Sequence, residues 1–199
     1  AGRPYRGAPP SALQKTPDRR RLLDWIVDAF SDLDVDWHFV GGYQLQEVAR
    51  SYPGMRYSVN PDWRHTGSVA SLFAAPLTSN RPHYVAYTDV VFSKKVVERL
   101  RATKGDVVLA VDSNWRRRYL HRHPDDMMAA EKVHLSGERV IAIGVSLPRL
   151  NGDAEFAGLA RFSPDAVERL RELATSEAKR FAHAGLPELF QTLIEEGLS

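Results

Sequence analysis

The stretch "HYVAYTDVVFSKKVVERL", residues 83–100, contains the end of one structural element and the beginning of the next. Strand-forming residues lead up to Asp89, and apolar residues at helical spacing follow from Ser93. A carboxylate at the carboxyl end of a buried strand is costly to desolvate unless it has a partner. Two interpretations of Asp89 therefore stay open: it is a cap or turn residue, or it is a ligand for Mg²⁺.

The same alternation of strand and helix continues on both sides of this stretch. Strand patterns are found in "DVDWHFVGGY", "MRYSVNP", "DVVLAVD", "RVIAIGVSL" and "AEFAGLARFS", and helical patterns in "RRRLLDWIVDAFSDL", "TGSVASLFAA" and "SPDAVERLRELATSEAKRFAH". Strands that alternate with helices predict an α/β fold with a mainly parallel sheet covered on both faces. Ligands of such sheets bind beyond the carboxyl ends of the strands. The informative strand ends are Gly41-Gly42-Tyr43, Asn60-Pro61 and Thr88-Asp89.

Length and composition favour one ordinary domain and exclude several classes of protein. The 199 residues are 43% hydrophobic and 26% charged, which is typical of a packed globular chain. Cysteine is absent, so neither disulfides nor thiolate ligands are available. No apolar run is long enough for a membrane span, and the N-terminal stretch lacks the apolar segment of a signal peptide. We therefore expect a cytoplasmic protein without a membrane partner, and a net charge of +2 is too small to indicate a nucleic-acid partner.

The N-terminal loop "AGRPYRG" combines glycines with arginines. Gly2, Arg3 and Arg6 offer freed backbone N–H groups and guanidinium forks, which together can hold a polyphosphate. The alternative is a flexible chain end. The loop is not a Walker motif, because no GKS or GKT follows it.

Two further candidates lie in the second half of the chain. Lys132 begins a strand after a basic loop, where an ammonium can neutralise a phosphate; the alternative is a solvated surface lysine. The run "NWRRRYLHRHPDD" combines basic residues with Trp115 and Tyr119. It is suited to nucleic acid or to a small charged molecule, although such runs are more often solvated loops.

Taken in order, these elements resemble the nucleotidyltransferase family, and most closely its phosphocholine and phosphonate cytidylyltransferases. "AGRPYRG" is similar to the end of the signature A-G-x-G-x-R, "FVGGY" to V-x-G-Y, and "VNPDWRHTGSVASLFAA" to the N-P…N-S-x-x-S-L segment. "AYTDVVF" resembles G-D-x-x-F, "AEKV" resembles M-K-V, and "AEFAGLARFS" resembles G-E-x-x-G-x-x-x-F-S. The resemblance covers nearly the whole chain.

The resemblance implies a single domain over residues 1–199, with a three-layer α/β/α, Rossmann-like fold and a mixed, mainly parallel sheet. It also implies a nucleoside triphosphate, Mg²⁺ and a small phosphorylated or phosphonate acceptor as ligands. Arg6 and Lys132 would be catalytic: Arg6 would contact the pyrophosphate, and Lys132 would contact the phosphate that is transferred. Asp89 would hold the metal. Nucleotide contacts are expected from Gly2, Arg3, Gly42, Tyr43, Asn60, Thr66 and Ser68. Acceptor contacts are expected from Trp115, Tyr119 and Glu155, and Trp63 with the first two could box a quaternary amine.

The chain departs from the family pattern at several positions. Pro4 replaces a loop glycine and removes an N–H donor, and Ser11 stands where the family has a lysine that Lys15 could replace. The C-terminal acids that complete the metal site have no match. The sequence also lacks a strand before residue 1 and after residue 199, so we expect an excised or incomplete domain.

The sequence thus predicts an enzyme that transfers a nucleoside monophosphate, most simply CMP from CTP, to a phosphate or phosphonate acceptor with release of pyrophosphate. Two alternatives stay open: a metal-dependent glycosyltransferase that uses a nucleotide-sugar, and a nucleotide-binding module without catalytic activity. The base, the acceptor and the oligomeric state are not predicted.

Overall fold

The strands predicted around Asp89 and Lys132 belong to one sheet in the computed structural model, which describes residues 7–78, 80–148 and 152–199. The strands of this part of the chain are β1 (His38–Gly41), β2 (Arg56–Val59), β3 (His83–Ala86), β4 (Val107–Asp112), β5 (Lys132–Ser136), β6 (Arg139–Gly144) and β7 (Ala154–Phe162). β1 and β2 form a parallel pair. The larger sheet has the order β3-β7-β5-β6, with β4 paired to the opposite edge of β7.

The predicted helices begin close to the expected positions. The helices are α1 (Leu22–Ala29), α2 (Leu45–Ser51), α3 (Ser68–Phe73), α4 (Lys94–Ala102), α5 (Trp115–Arg118), α6 (Pro124–Met128), α7 (Pro164–Ser176) and α8 (Leu186–Glu195), with a 3₁₀ turn at Ser11–Leu13. α1 and α7 end earlier than their patterns predicted, and α5 and α6 were not predicted. Ser163 is the N-cap of α7, and its Oγ accepts a hydrogen bond of 3.2 Å from the N–H of Ala166. A capping serine followed by Pro164 fixes the start of this helix, as the sequence predicted.

The α/β class and the mixture of strand directions are confirmed, but a mainly parallel sheet is not. Every described pair in the larger sheet is antiparallel. The reason is that β5, β6 and β7 follow one another without a helix. A turn at 137–138 is enough to join the antiparallel strands β5 and β6, whereas a parallel neighbour needs a crossover of about a dozen residues.

The apolar sequence of β4 is explained by the two hydrophobic clusters that lie on its two faces. Val107, Leu109 and Val111 pack against the cluster that contains buried residues of α7 and α8. The alternate residues Val108 and Ala110 pack against a second cluster, with residues of α1 and α4. Because side chains alternate between the faces of a strand, β4 contacts apolar residues on both faces.

The basic run after β4 is more regular than expected, since it forms α5 and α6. Its buried residues Trp115, Met127 and Ala130 make a small cluster of their own, with Tyr119 packed against it. This excursion, residues 113–131, joins β4 to β5. Across the described ranges, no helix is both long enough and apolar enough to traverse a lipid bilayer.

Candidate functional site

Asp89 lies in a turn after β3 and is exposed. It does not cap the following helix, because Ser93 is the N-cap of α4. Within the described ranges its carboxylate has neither a hydrogen bond nor an ion pair. Among the described residues nothing occupies the carboxylate of Asp89, so it is available to a ligand.

The described part of the chain does not form a complete metal site around this carboxylate. The described residues contain no group of three or more histidines or acids that could hold a metal ion. Mg²⁺ in phosphate-handling sites is often bound by one or two carboxylates, with waters and substrate phosphates as the other ligands. Asp89 thus fits Mg²⁺ only as a single protein ligand of an ion that also binds a triphosphate.

Tyr87 connects the turn of Asp89 to the start of β5. Its hydroxyl donates a hydrogen bond of 3.0 Å to Oε1 of Glu131, and it also interacts with the side chain of Ser68. Burial raises the pKa of Tyr87 above its ordinary range, and burial also raises the pKa of Glu131. The residue next to Lys132 is therefore held against the loop that carries Asp89.

Lys132 is not the solvated lysine of the alternative interpretation. It is 2% exposed, and its Nζ donates hydrogen bonds to the carbonyls of Met128 at 3.0 Å and Ala130 at 3.1 Å. Burial lowers the pKa of Lys132, and the nearby charge of Glu155 opposes this shift. The ammonium therefore has a fixed position at the end of the excursion.

Glu155 is a second buried charge, 8% exposed, at the start of β7. It accepts hydrogen bonds from the hydroxyl of Tyr119 and, at 2.5 Å, from Nη2 of Arg118. Burial, followed by the bond to Glu155, raises the pKa of Tyr119 to about 12. Glu155 and Tyr119, predicted separately as acceptor contacts, are thus in direct contact with each other.

Trp115, the third predicted acceptor contact, is completely buried. Its ring packs edge-on against Tyr119, and its Nε1 lies 3.4 Å from the carbonyl oxygen of Gly152. A ring in this position offers no surface to a ligand. Trp63 packs elsewhere, against Tyr43, so the expected aromatic box around an amine is not formed in the described structure.

The carboxyl end of β1 forms a separate part of the candidate site. A Cβ on Gly42 would lie 2.1 Å from Cδ1 of Trp63, so only glycine permits this close approach. Tyr43 packs on the same ring, and its hydroxyl donates a hydrogen bond of 3.0 Å to the carbonyl of Ala8. The chain that follows the N-terminal loop therefore lies beside this strand end.

Gly2, Arg3 and Arg6 lie outside the described residues, as does Pro4. Their predicted contacts with the triphosphate therefore stay predictions.

Asn60, Thr66 and Ser68 are engaged in internal hydrogen bonds. The buried Asn60 donates from Nδ2 to the hydroxyls of Thr66 at 2.9 Å and Ser71 at 3.0 Å. The hydroxyl of Ser68 accepts a bond of 3.0 Å from the N–H of Leu186. These side chains hold the segment between β2 and α3 in place, and their predicted role in nucleotide binding stays a prediction.

Comparison with known proteins gives two relatives of similar sequence. The chain is 36% identical over 143 residues to a Rubrobacter xylanophilus protein described as a bifunctional IPC transferase and DIPP synthase, covering 69% of this chain and 30% of that protein. It is 20% identical over 195 residues to the CTP:phosphoglutamine cytidylyltransferase of Campylobacter jejuni, covering 89% of this chain and 77% of the relative. No family model matches the chain.

The solved structures give the same picture for the fold. The inositol-1-phosphate CTP transferase of T. maritima superposes with a TM-score of 0.70 over 96% of this chain and 75% of that chain, at 16% sequence identity. The chain therefore has the fold of this CTP transferase. The family resemblance predicted from the ordered motifs is confirmed.

Three side chains of this nucleotidyltransferase fold were not among the predicted site residues. Glu131 could have been found from its position beside Lys132 at a strand start. Arg118 was one of several arginines in the basic run, with no signal to separate it from its neighbours. Tyr87 carries no sequence signal, because its contact with Glu131 joins residues that are 44 positions apart.

Proposed function

We propose that the chain transfers a cytidylyl group from CTP to a small phosphorylated acceptor and releases pyrophosphate. The Campylobacter relative is named as a CTP-dependent cytidylyltransferase, and the T. maritima structure as a CTP transferase. The chain spans only 30% of the length of the Rubrobacter relative, so the activity is proposed for the segment that matches.

The observation that carries this proposal is the hydrogen bond between Tyr87 and Glu131. It joins Tyr87, two residues before the exposed Asp89, to Glu131, the residue before the buried Lys132. Transfer from a triphosphate needs a carboxylate that can bind a metal ion and a cation that can neutralise a phosphate, close to each other.

The proposed reaction is an in-line displacement. An oxygen of the acceptor phosphate attacks the α-phosphorus of CTP, and the bond from that phosphorus to the bridging oxygen of pyrophosphate breaks. Lys132 neutralises negative charge that collects on the α-phosphate. Arg6 is proposed to contact the departing pyrophosphate, with Gly2 and Arg3 beside the nucleotide. Mg²⁺, when bound at Asp89, would supply further neutralisation of the triphosphate.

For the acceptor we propose a polyol phosphate such as inositol 1-phosphate. The T. maritima neighbour is named for that substrate. The carboxylate of Glu131 keeps Oε2 without a hydrogen bond to the described residues, and a carboxylate accepts hydrogen bonds from hydroxyl groups. The site is less suited to an acceptor with a quaternary amine, because Trp63 does not form an aromatic cage with Trp115 and Tyr119.

The test is a pyrophosphate-release assay with CTP, ATP, GTP and UTP, each combined with inositol 1-phosphate, phosphocholine and 2-aminoethylphosphonate. We expect Mg²⁺-dependent release with CTP, and loss of at least about 100-fold in Asp89→Asn, because one lost charge contact to the metal weakens transition-state stabilisation. Asp34→Asn is the matched control, since Asp34 is also an exposed aspartate without a hydrogen bond to the described residues. It should keep wild-type release.

Other outcomes of this assay contradict the proposal. Wild-type rates in Asp89→Asn would refute the assignment of the metal ligand. Cleavage of a nucleotide-sugar without pyrophosphate would favour the glycosyltransferase. CTP binding by calorimetry without turnover for any acceptor would favour a binding module.

A further inference from the structure

Three charged residues lie side by side across the larger sheet. Glu155 in β7 is the partner of Asp112 in β4 on one side and of Lys132 in β5 on the other. Directly opposed residues of neighbouring strands project from the same face of a sheet. The strand register therefore puts two carboxylates and one ammonium in a row at the candidate site.

Arg118 balances the charge of this row. Its Nε lies 2.9 Å from Oδ2 of Asp112, and its Nη2 lies 2.5 Å from Oε2 of Glu155. The row with Arg118 then contains two negative and two positive groups. Such a cluster is neutral before any ligand binds. The pairing of charges lowers the free-energy cost of burying Glu155 and Lys132.

Both cations have a hydrogen-bond donor that no described residue uses. Nη1 of Arg118 has no hydrogen bond to the described residues, and 53% of the side chain is exposed. Lys132 uses two of its three ammonium protons on the carbonyls of Met128 and Ala130. A guanidinium N–H group and an ammonium are both donors of charged hydrogen bonds to phosphate oxygens.

The other arginines of the run are placed differently. Arg116 donates a hydrogen bond of 2.6 Å to the carbonyl of Gly152, and the guanidinium of Arg122 lies over the ring of Tyr119. Arg117 precedes Arg118 in α5, and it projects about 100° away around the helix axis. Arg118 is thus the arginine of this run that is held against the row of Glu155 and Lys132.

We propose that Arg118 binds the phosphate of the acceptor together with Lys132, and that Asp112 and Glu155 are positioning residues that hold its guanidinium. This inference rests on the proposed function, because it names the residue that recognises the acceptor phosphate. The exposed Nη1 edge of Arg118 meets the incoming phosphate first. The Nε edge stays on Asp112, so the guanidinium does not have to leave the protein to bind the ligand.

The test measures binding by titration calorimetry on the full chain, with inositol 1-phosphate, inositol and CTP as separate probes. Arg118→Gln should lower the affinity for inositol 1-phosphate by about 10–100-fold, the range for a lost charged hydrogen-bond pair, and leave the affinity for CTP unchanged. Arg118→Lys should recover part of the loss, because it keeps the charge without the fork. Arg117→Gln is the matched control and should bind like the wild type, and inositol without phosphate should not bind measurably.

The result that overturns the proposal is an unchanged affinity of Arg118→Gln for inositol 1-phosphate. An equal loss of acceptor and CTP affinity, with a lower melting temperature, would also overturn it, because it would indicate a purely structural role. Failure of the wild type to bind inositol 1-phosphate would overturn it as well. Binding that depends on Arg118 without pyrophosphate release would support Arg118 while refuting the proposed function.

Discussion

At the scale of single residues, two charges of the candidate site, Lys132 and Glu155, are buried but paired. Lys132 is almost fully buried, and its ammonium is held by two carbonyls and the field of Glu155. Burial of an ammonium favours its neutral form, which lowers its pKa. A lysine that must stay protonated for activity therefore loses its proton at a lower pH than an exposed lysine does.

This gives a prediction for the pH dependence of catalysis. The value of kcat/KM for pyrophosphate release should fall on the alkaline side, at a pH below the ordinary pKa of lysine, because rising pH removes the charge that neutralises the α-phosphate. Any activity that remains in Lys132→Arg should lack this alkaline fall, since arginine stays charged. A wild-type profile that is flat up to the ordinary lysine range would contradict the prediction.

At the scale of elements, β7 is shaped by one glycine to accommodate the loop after β3. Gly158 has φ +78°, and a Cβ there would lie 2.9 Å from Cδ2 of Tyr87 and 3.0 Å from Cγ1 of Val90. Its carbonyl accepts a hydrogen bond of 2.8 Å from the N–H of Tyr87. The pairing of β4 with β7 shifts register between Leu109 and Val111, close to this point. The glycine thus permits both the irregular strand and the close approach of Tyr87.

Gly158→Ala should therefore lower the free energy of unfolding by about 2–4 kcal/mol, through a left-handed backbone and a steric contact together. Gly137→Ala separates the two effects, because Gly137 has φ +61° but a Cβ there would meet no atom within 4 Å, and it should cost about 1–2 kcal/mol. Urea denaturation of both variants measures the difference. Equal losses would mean that the contact with Tyr87 does not constrain β7.

At the scale of the whole molecule, stability is unevenly distributed. β7 runs through the middle of the larger sheet, and most of its residues are buried. The excursion over residues 113–131 has only the small cluster of Trp115, Met127 and Ala130, and it is attached to the sheet mainly by polar contacts. Regions with few buried apolar contacts open more readily than the core does.

Native-state hydrogen exchange should show this difference. We expect the amides of residues 115–130 to exchange at least about 100-fold faster than those of β4 and β7, which corresponds to a difference in opening free energy of about 2.7 kcal/mol. An acceptor phosphate should slow exchange in α5 if it binds Arg118. Uniform protection across the chain would contradict the uneven distribution of stability.

The sequence was most informative where a signal is local. Ser163 and Pro164 predicted the start of α7, and the apolar contacts on both faces of β4 agree with its uniformly apolar sequence. Asp89 was identified from its place at the end of a strand pattern. In each example the residues that decide the structure are neighbours along the chain, and short-range periodicity and capping preferences report on such neighbours directly.

The sequence by itself determined the order of the elements and the family resemblance, and it drew attention to Asp89, Lys132 and Glu155. Only the tertiary structure decided that β7 runs antiparallel between β3 and β4, and that Glu155 consequently faces both Asp112 and Lys132. The bond from Tyr87 to Glu131 was likewise decided by the fold. The physical reason is that strand register between distant segments depends on how the whole core packs, and no local pattern of side chains records it.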